Sequence, residues 1–412
     1  MNMKNVAVLF GGRSVEHEIS ILTARDALQA IDATKYSPIP VYVDQAGSWF
    51  AGKKLIEIVR AEDFYDSFAT SKHLLDEVVM LPIPKLGGLV RMPSESRSGG
   101  IVAHLLRSFD GGKLSVIPVD IFMPVFHGTY GEDGCVQGLF ELADVAYTGC
   151  GVGPSSLGMN KYLCKQLLRS QGEPVVDGIL LRASDLGKGA DLWPGLPSTL
   201  RSGPLFVKPC NLGSSVGIDP ELSIVETSEQ LLAALIHVFK YDAEALIERQ
   251  IVNPLELQVA VFRGNDIHAS AVEAPQVCGK VNTASEKYGT SVLKKGRAGG
   301  KKDPRQVGLA SAHRRIEPSE VEKHVLDEVR ARGVRIYKTL GCSGVVRLDF
   351  LYDLKTKELF FNEVNTLPGS LGYYLFENAT PPVIFTEMLS AILDSAEAAK
   401  VQRNILKRLY EF

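Results

Sequence analysis

The segments Gly344-Val-Val-Arg-Leu-Asp-Phe-Leu351 and Glu358-Leu-Phe-Phe-Asn-Glu-Val-Asn365 decide the fold of this chain. In both segments polar and apolar residues alternate, and this period of two predicts two adjacent β-strands. The polar residues between them, 353–357, predict the turn that joins the strands. Because successive side chains point to opposite faces of a sheet, the polar residues of both strands are expected on one face. These residues are Arg347, Asp349, Glu363 and Asn365.

This polar face predicts a magnesium site. Two carboxylates and an amide oxygen suit Mg²⁺ and its phosphate ligands far better than they suit Zn²⁺. The arginine beside them can neutralise a phosphoryl group during its transfer. The alternative is a solvated strand face with a surface salt bridge. Phosphate-binding patterns upstream favour the metal site.

Composition indicates an ordinary globular protein of two or three domains. The 412 residues are long for one core, and the chain is 45% hydrophobic and 23% charged with a formal net charge of −3. This balance points to neither a nucleic-acid partner nor a membrane, and no apolar run approaches the ~20 residues of a membrane span. The first residues show neither the apolar core nor the small-residue cleavage site of a signal peptide, so none is expected, and the six cysteines have no CxxC spacing. We therefore expect a cytoplasmic protein without a zinc knuckle or disulfide framework.

The N-terminal segment is expected to form an α/β domain around an open parallel sheet. The apolar run 5–10 ends in Gly11 and Gly12, which predicts a buried parallel strand followed by a tight loop. Ser14 is a candidate cap for a helix over residues 15–30. A second strand is predicted over residues 37–43. The stretch 77–115, rich in glycine, proline and serine, predicts a surface excursion.

A second glycine-rich loop follows the apolar segment 117–125 and reads His127-Gly-Thr-Tyr-Gly-Glu-Asp-Gly134. Glycines on both sides of a histidine and two acids indicate a constrained loop. Ligands of open α/β sheets bind at the carboxyl ends of the strands, where this loop is expected. Neither this loop nor Gly11-Gly12 fits GxGxxG, so a dinucleotide site is not predicted.

Lys208 ends a predicted strand and is followed by Gly213-Ser214-Ser215, which predicts a phosphate cradle. The pattern is not a Walker A motif, and glycine turns after strands are also common without function. Lys161 lies on a predicted helix, where a lone lysine is usually solvated. Glu248 and Glu256 flank a strand junction, where they could bind a nucleotide's amine and ribose or simply be surface acids. Their spacing does not decide between these two interpretations.

A basic, glycine-rich segment runs from Glu286 to Lys302. Three interpretations are open: an exposed loop, a mobile lid over phosphates, or a nucleic-acid patch. The patch is disfavoured because aromatic residues are scarce there and the rest of the protein is not basic. We favour the lid.

Eight patterns follow one another in a fixed order: GGxSxE, HGxxGEDG, YTG, a helical lysine, KPxxxGSSxG, a strand-end glutamate, RxDF and ExNTxPG. In this order the chain resembles the D-alanine–D-alanine ligases of the ATP-grasp superfamily, from Val6 to about Ile392. The resemblance implies an α/β, three-domain ATP-grasp fold. Its N-terminal domain would span residues 1–149, its central domain 150–248, and its C-terminal domain 249–412, with a basic lid at about 280–315.

The resemblance also implies roles for individual residues. Six would bind ATP: Lys161, Lys208, Ser215, Glu248, Glu256 and Lys287. Three would hold two Mg²⁺ ions, or Mn²⁺ in their place: Asp349, Glu363 and Asn365. Arg347 would stabilise the transferred phosphoryl group, and the backbone N–H of Gly369 would contribute to an oxyanion hole. Glu16 would bind the ammonium of the first D-alanine, with Ser214 linking it to the lid residue Tyr288. His127 would lie near the carboxylate of that substrate.

The second-substrate site departs from the family pattern. The family places a serine and a leucine where this chain has Tyr374 and Leu375, so Ser370 is the candidate for the missing hydroxyl. The leading interpretation is an ATP-dependent ligase, homodimeric like many family members, that makes D-Ala-D-Ala for peptidoglycan through an acyl phosphate. One alternative is a related ligase that couples D-alanine to another amino or hydroxy acid. The other is an inactive ATP-binding module, which the intact set of predicted metal and phosphate ligands disfavours.

Overall fold

The fold consists of three β-sheets with helices packed on them. The structure is a computed structural model that describes residues 3–92, 114–188, 192–275 and 314–405. The strands are β1 (Lys4–Gly11), β2 (Tyr36–Val43), β3 (Trp49–Ala51), β4 (Asp76–Val79), β5 (Gly88–Arg91), β6 (Val116–Pro118), β7 (Ile121–Pro124), β8 (Ala146–Tyr147), β9 (Gly178–Arg182), β10 (Leu205–Pro209), β11 (Ile224–Val225), β12 (Glu244–Arg249), β13 (Leu255–Arg263), β14 (Ile267–Pro275), β15 (Arg314–Ile316), β16 (Val345–Tyr352) and β17 (Leu359–Asn365). The helices are α1 (His17–Ala30), α2 (Lys54–Arg60), α3 (Phe64–Ser71), α4 (Cys135–Leu142), α5 (Val152–Met159), α6 (Lys161–Ser170), α7 (Leu192–Gly195), α8 (Ser228–Val238), α9 (Lys323–Thr339), α10 (Tyr373–Glu377) and α11 (Phe385–Ile405).

The first sheet has the order β6-β5-β4-β3-β2-β1-β7-β8. The predicted parallel core is confirmed, because β1 pairs in parallel with β2 and β7, and β7 with β8. From β2 outward the pairing is antiparallel through β3, β4, β5 and β6. The described parts of the stretch 77–115 therefore contribute strands to this sheet. Apolar side chains on both faces of β1 are fully buried, as a central parallel strand requires.

Helix α1 begins differently from the sequence expectation, and α6 begins with a side-chain cap. Ser14 does not cap α1: its Oγ donates a hydrogen bond to the backbone oxygen of His127 at 2.6 Å and accepts one from the Glu16 N–H at 3.2 Å. Ser14 therefore fastens the first glycine loop to the His127 loop. The prediction that Lys161 lies on a helix is confirmed: Lys161 is the first residue of α6, and Asn160 caps this helix by accepting the N–H of Leu163 at 2.9 Å.

The second sheet is antiparallel in the order β11-β10-β12-β9. Helix α8 covers it and starts with a capping box between Thr227 and Gln230. Leu205 and Val207 of β10 pack with Leu231 and Leu235 of α8 in a core of their own.

The third sheet has the order β15-β14-β13-β16-β17 and contains the strand pair predicted from the sequence. Arg347 pairs with Asn365 and Asp349 with Glu363, which confirms the common polar face. After Asp349 the register shifts at a β-bulge: Phe350 pairs with Phe361, so Asn362 is the extra residue. Helix α9 packs against this sheet, with Val329 and Ile336 fully buried.

Contacts between the sheets hold their relative positions. Helices α5 and α6 pack against β17. The buried Arg332 of α9 contacts Glu173 at 3.1 Å and donates to the backbone oxygen of Pro174 at 3.1 Å. Helix α11 returns to the first sheet, where the Tyr36 hydroxyl donates to Asp394 at 2.9 Å. Among the helices that the structure describes, none combines the length and apolar character needed to cross a membrane.

Candidate active site

A cavity of about 560 Å³ separates the second sheet from the third. Phe206, Lys208 and Glu248 line it from β10 and β12, and Leu351 and Glu363 line it from β16 and β17. Further apolar lining residues are Val176, Ile218, Ile224 and Ile251. An apolar cavity with a few charged groups at its wall is typical of a small-molecule site, and its volume is that of nucleotide-sized ligands.

Two lysines flank the buried carboxylate of Glu248. Lys208 Nζ lies 2.8 Å from Oε2, and Lys165 Nζ donates to Oε1. Burial disfavours the charged carboxylate, but the two ammonium groups outweigh burial and hold the pKa of Glu248 below its usual value. Burial lowers the pKa of Lys165 to about 8 against the attraction of Glu248. The cluster is thus a fixed, charged wall of the cavity.

Lys161 and Lys208 converge on the same end of the cavity. Lys161 Nζ donates to the backbone oxygen of Leu212 and lies 3.4 Å from Glu363 Oε2. Lys208 Nζ also donates to Asn362 Oδ1 at 3.2 Å. Two ammonium groups beside an acidic strand face are suited to hold phosphates next to a metal ion.

The Gly-Ser loop is held by left-handed backbone at its serines. Ser214 has φ of 51° and Ser215 has φ of 58°, conformations that are costly for residues other than glycine. Gly213 makes a different contribution: a Cβ built on it would lie 3.2 Å from Glu16 Oε1. The loop therefore approaches Glu16 as well as the cavity, which Gly213 and Ser215 both line.

The predicted metal ligands form a continuous acidic face. Arg347 forms a bidentate pair with Asp349, with Nε–Oδ1 at 2.8 Å and Nη2–Oδ2 at 2.9 Å. Gln258, which pairs with Asp349 across β13 and β16, donates to Glu256 at 2.6 Å and to Asp349 at 3.3 Å. Burial raises the pKa of Asp349, and Arg347 opposes this shift. Burial disfavours the charged form of Asp349, and a second carboxylate, Glu363, lies opposite it. A divalent cation fits this kind of donor set.

A second cluster lies at the carboxyl edge of the first sheet. One ligating atom each from Glu16, His127 and Glu132 lies within 4.8 Å of the others, and all three side chains are buried. Burial raises the pKa of Glu132 to about 8, which keeps this acid largely protonated near neutral pH. Burial also lowers the pKa of His127 and favours its neutral form. The cluster can therefore accommodate an incoming cation without two buried negative charges facing each other.

A hydrogen-bond chain joins this cluster to the turn that follows Gly369. Thr23 Oγ1 lies 2.8 Å from His127 Nε2 and accepts the backbone N–H of Ser370 at 2.9 Å. The Ser370 hydroxyl, itself buried, donates to Asp26 at 2.5 Å. Ser370 and the next residue, Leu371, have φ of 48° and 51°, and this left-handed backbone strains the turn. The contacts from Thr23 and Asp26 on α1 stabilise it.

The remaining predicted residues lie apart from the large cavity. Leu375 is fully buried in the core of α10 and α11. The Tyr374 hydroxyl donates to the buried Glu273 at 3.2 Å. Asn365 Oδ1 accepts the backbone N–H of Leu367 at 3.2 Å. Lys287, Tyr288 and the predicted lid lie outside the described residues.

Sequence reasoning missed several polar residues that the structure brings to these sites. Gln258 could have been found, because it follows Glu256 at the strand period of two. Glu132 stands within the quoted glycine loop. Asn362 had no such signal, because only the bulge turns it toward Lys208. Lys165 follows Lys161 by one helical turn, and this spacing was its only signal.

Comparisons with known proteins find relatives that match nearly the whole chain. Residues 5–150 match the family model described as the D-ala D-ala ligase N-terminus, and residues 167–300 and 306–393 match that of the D-ala D-ala ligase C-terminus. The chain is 34% identical to "D-alanine--D-alanine ligase A" of Bradyrhizobium diazoefficiens over 98% of both chains. Two solved structures share the fold: the VanG D-Ala:D-Ser ligase of Enterococcus faecalis and the D-alanine-D-alanine ligase of Coxiella burnetii. The first has a TM-score of 0.73 at 24% identity and covers 96% of this chain and all of that one. The second has a TM-score of 0.74 at 23% identity and covers 98% and 97%.

Proposed function

The chain belongs to the D-alanine–D-alanine ligase family, and we propose that it joins two D-alanines at the expense of ATP to supply D-Ala-D-Ala for peptidoglycan. The single observation that carries this proposal is the juxtaposition of Lys161 with Glu363 at 3.4 Å, because it sets a phosphate-binding lysine against the acidic metal face. The curated relatives are named for D-alanine as both substrates, so the alternative of a different acceptor is not favoured.

In this proposal ATP lies in the cavity between the second and third sheets. Lys161, Lys208 and Ser215 hold its phosphates, Glu248 its adenine and Glu256 its ribose. The family uses ATP and a divalent metal; we assign two Mg²⁺ ions, replaceable by Mn²⁺, to Asp349, Glu363 and Asn365. When bound, the metal supplies positive charge that neutralises the phosphate oxygens.

The first chemical step activates a carboxylate, which is a poor acylating agent because it would have to expel oxide. Glu16 holds the ammonium of the first D-alanine, and His127 lies near its carboxylate. A carboxylate oxygen attacks the γ-phosphorus of ATP, the bond to the bridging oxygen breaks, and an acyl phosphate and ADP result. Arg347 neutralises charge on the phosphoryl group as it moves.

The second step forms the peptide bond. The amine of the second D-alanine attacks the acyl carbon, and the tetrahedral intermediate collapses with loss of phosphate. The N–H of Gly369 stabilises the oxyanion in this proposal, and the strained turn after it is held by Thr23 and Asp26. The segment that carries Ser370, Tyr374 and Leu375 shapes the second-substrate side, with Tyr374 positioned by Glu273.

The wider assignment follows the same family. We propose three domains, 1–149, 150–248 and 249–412, each built on one of the three sheets. We also propose a homodimer that works in the cytoplasm on small-molecule substrates, without nucleic-acid or membrane partners.

The test is phosphate release by the purified chain with ATP, Mg²⁺ and D-alanine, with mass spectrometry of the products. A panel of second amino and hydroxy acids, including D-serine and D-lactate, competes with D-alanine as acceptor. We expect D-Ala-D-Ala as the main product, formed with one ADP per peptide bond. Preferential formation of another product would overturn the substrate assignment, and no ADP formation with any acid would overturn the enzyme itself.

A further inference from the structure

We propose that Lys165 is a positioning residue for recognition of the nucleotide base: it holds the Glu248 carboxylate ionised and oriented so that Glu248 accepts the exocyclic amine of adenine. The inference rests on the proposed function in one respect, the placement of adenine beside Glu248. It assigns a role to a buried lysine that the proposed chemistry does not otherwise use.

The two lysines that flank Glu248 are not equivalent. Lys208 lines the cavity and divides its contacts between Glu248 and Asn362. Lys165 is not among the described residues that line the cavity, its side chain is only 3% exposed, and its ammonium contacts the other oxygen of Glu248. Lys208 can therefore turn toward a triphosphate, whereas Lys165 stays behind the carboxylate.

This difference matters when ATP binds. If Lys208 turns from Glu248 toward the phosphates, Lys165 remains in contact with Glu248 as its counterion. A buried carboxylate without a counterion takes up a proton, and the protonated form is a donor as well as an acceptor. It would then accept a 6-keto purine about as readily as a 6-amino purine. With Lys165 beside it, the Glu248 carboxylate stays ionised and can only accept a hydrogen bond. Burial lowers the pKa of Lys165 to about 8, and at this value the lysine is still largely charged at neutral pH.

The helix geometry explains how one element serves both ends of the nucleotide. Lys161 and Lys165 are four residues apart on α6 and therefore lie on the same face, one turn apart. Lys161 reaches Glu363 on β17, and Lys165 reaches Glu248 on β12. A single rigid helix thus sets the distance between the phosphate-binding and base-binding groups.

The experiment compares equilibrium binding of ATP, purine riboside triphosphate and inosine triphosphate to the full chain without D-alanine. Purine riboside triphosphate lacks the exocyclic amine, so its Kd relative to that of ATP reports the Glu248 contact alone. The variants are Lys165→Met, Lys165→Arg, Glu248→Gln and the double variant Lys165→Met/Glu248→Gln. Cys164→Ala is the matched control, because Cys164 is a buried neighbour on the same helix that packs in a separate apolar core.

We expect wild type and Cys164→Ala to prefer ATP over purine riboside triphosphate by about tenfold or more, the worth of a hydrogen bond to a charged group. Lys165→Met is expected to bring this ratio close to one by weakening ATP alone, with kcat at saturating ATP nearly unchanged. Lys165→Arg is expected to retain most of the ratio. The double variant is expected to match Glu248→Gln, because Lys165 has no carboxylate to keep ionised once Glu248 is replaced.

Equal weakening of all three nucleotides by Lys165→Met, or an unchanged ratio, would overturn the inference. Circular dichroism and thermal unfolding check the fold, and Lys165→Gln replaces Lys165→Met, with the same expectation, should the methionine variant not fold. The binding measurement needs no turnover, so it separates the two proposals. D-alanine-dependent ADP formation with an unchanged ratio in Lys165→Met leaves the proposed function intact and refutes the inference, and the reverse pattern refutes the function alone.

Discussion

Asp349 lies directly opposite Glu363 across strands β16 and β17, and the bulge that follows turns Asn362 toward the same cavity. This relationship sets two carboxylates on one face beside two lysines. Arg347 already neutralises Asp349 through two hydrogen bonds. We therefore propose that Asp349 exchanges its contact with Arg347 for a contact with a metal ion when substrates arrive.

Asp349→Asn and Glu363→Gln are each expected to lower phosphate release by about 100-fold or more, because each removes the charge of a proposed metal ligand. The thermal shift that Mg²⁺ and ADP produce in wild type should be lost in both. Glu358→Gln, at an exposed position next to β17, is the control. Near-normal turnover by Asp349→Asn would exclude this residue as a ligand.

Arg347→Lys is expected to lower kcat by about 100-fold while the KM for ATP changes little. Lysine keeps the positive charge but cannot form the two parallel hydrogen bonds that arginine makes with planar oxygen groups. Steady-state kinetics with ATP and D-alanine varied separately measure the split. A change confined to KM would place Arg347 in ground-state binding and contradict its proposed role of neutralising the phosphoryl group during transfer.

The strand pair and its polar face were predictable because a period of two survives in both strands. The bulge was not, because an extra residue in one strand follows from pairing with its partner and leaves no local pattern. The glycine loops predicted a ligand-binding edge of the first sheet, but their sequence did not show that Ser14 would link them to each other instead of capping α1. Similarly, Glu248 was recognisable as a strand-end acid, whereas its two lysines come from a helix and a neighbouring strand, which only the tertiary fold brings together.

Glu16→Gln is expected to raise the KM for the first D-alanine by about 30-fold, the loss of a charge-assisted contact with its ammonium. Glu18→Gln, two residues further along α1 and only partly buried, is the matched control and should stay close to wild type. Initial rates over a wide range of D-alanine concentration resolve the two substrate sites when their affinities for D-alanine differ. Equal effects of the two substitutions would indicate a general field effect and contradict a direct contact.

Gly344→Ala is expected to destabilise the protein well beyond the cost of a left-handed alanine. A Cβ at this position would lie 2.5 Å from Gly149 Cα and 2.7 Å from its N, and φ is +64°. Gly341→Ala is the control, because Gly341 also has a left-handed φ of +68° but its nearest neighbour is 3.9 Å away. Urea unfolding should show a loss of about 1 kcal/mol for Gly341→Ala and at least twice that for Gly344→Ala. Similar losses would mean that the backbone at Gly149 yields.

Glu132 makes a specific contribution to the pH dependence of stability. Burial raises its pKa in the folded protein to about 8, above its ordinary value of 4.5. Between these two values the folded state binds more protons than the unfolded state, so the free energy of unfolding falls as pH rises. The slope from one such group is at most about 1.4 kcal/mol per pH unit. Below this interval Glu132 is protonated in both the folded and the unfolded state, and its contribution to the free energy of unfolding is fully present.

Glu132→Gln removes this contribution while keeping the shape of the side chain. We therefore expect the variant to gain stability relative to wild type as pH rises from 5 to 8, with the difference levelling off above pH 8. Urea unfolding of both proteins at several pH values measures the difference, in which all other titrating groups cancel to first order. Glu358→Gln, which changes an exposed acid, should give a nearly flat difference over the same range. A flat difference for Glu132→Gln as well would mean that Glu132 is charged in the folded protein, and the buried cluster with Glu16 and His127 would then need a bound cation to hold it.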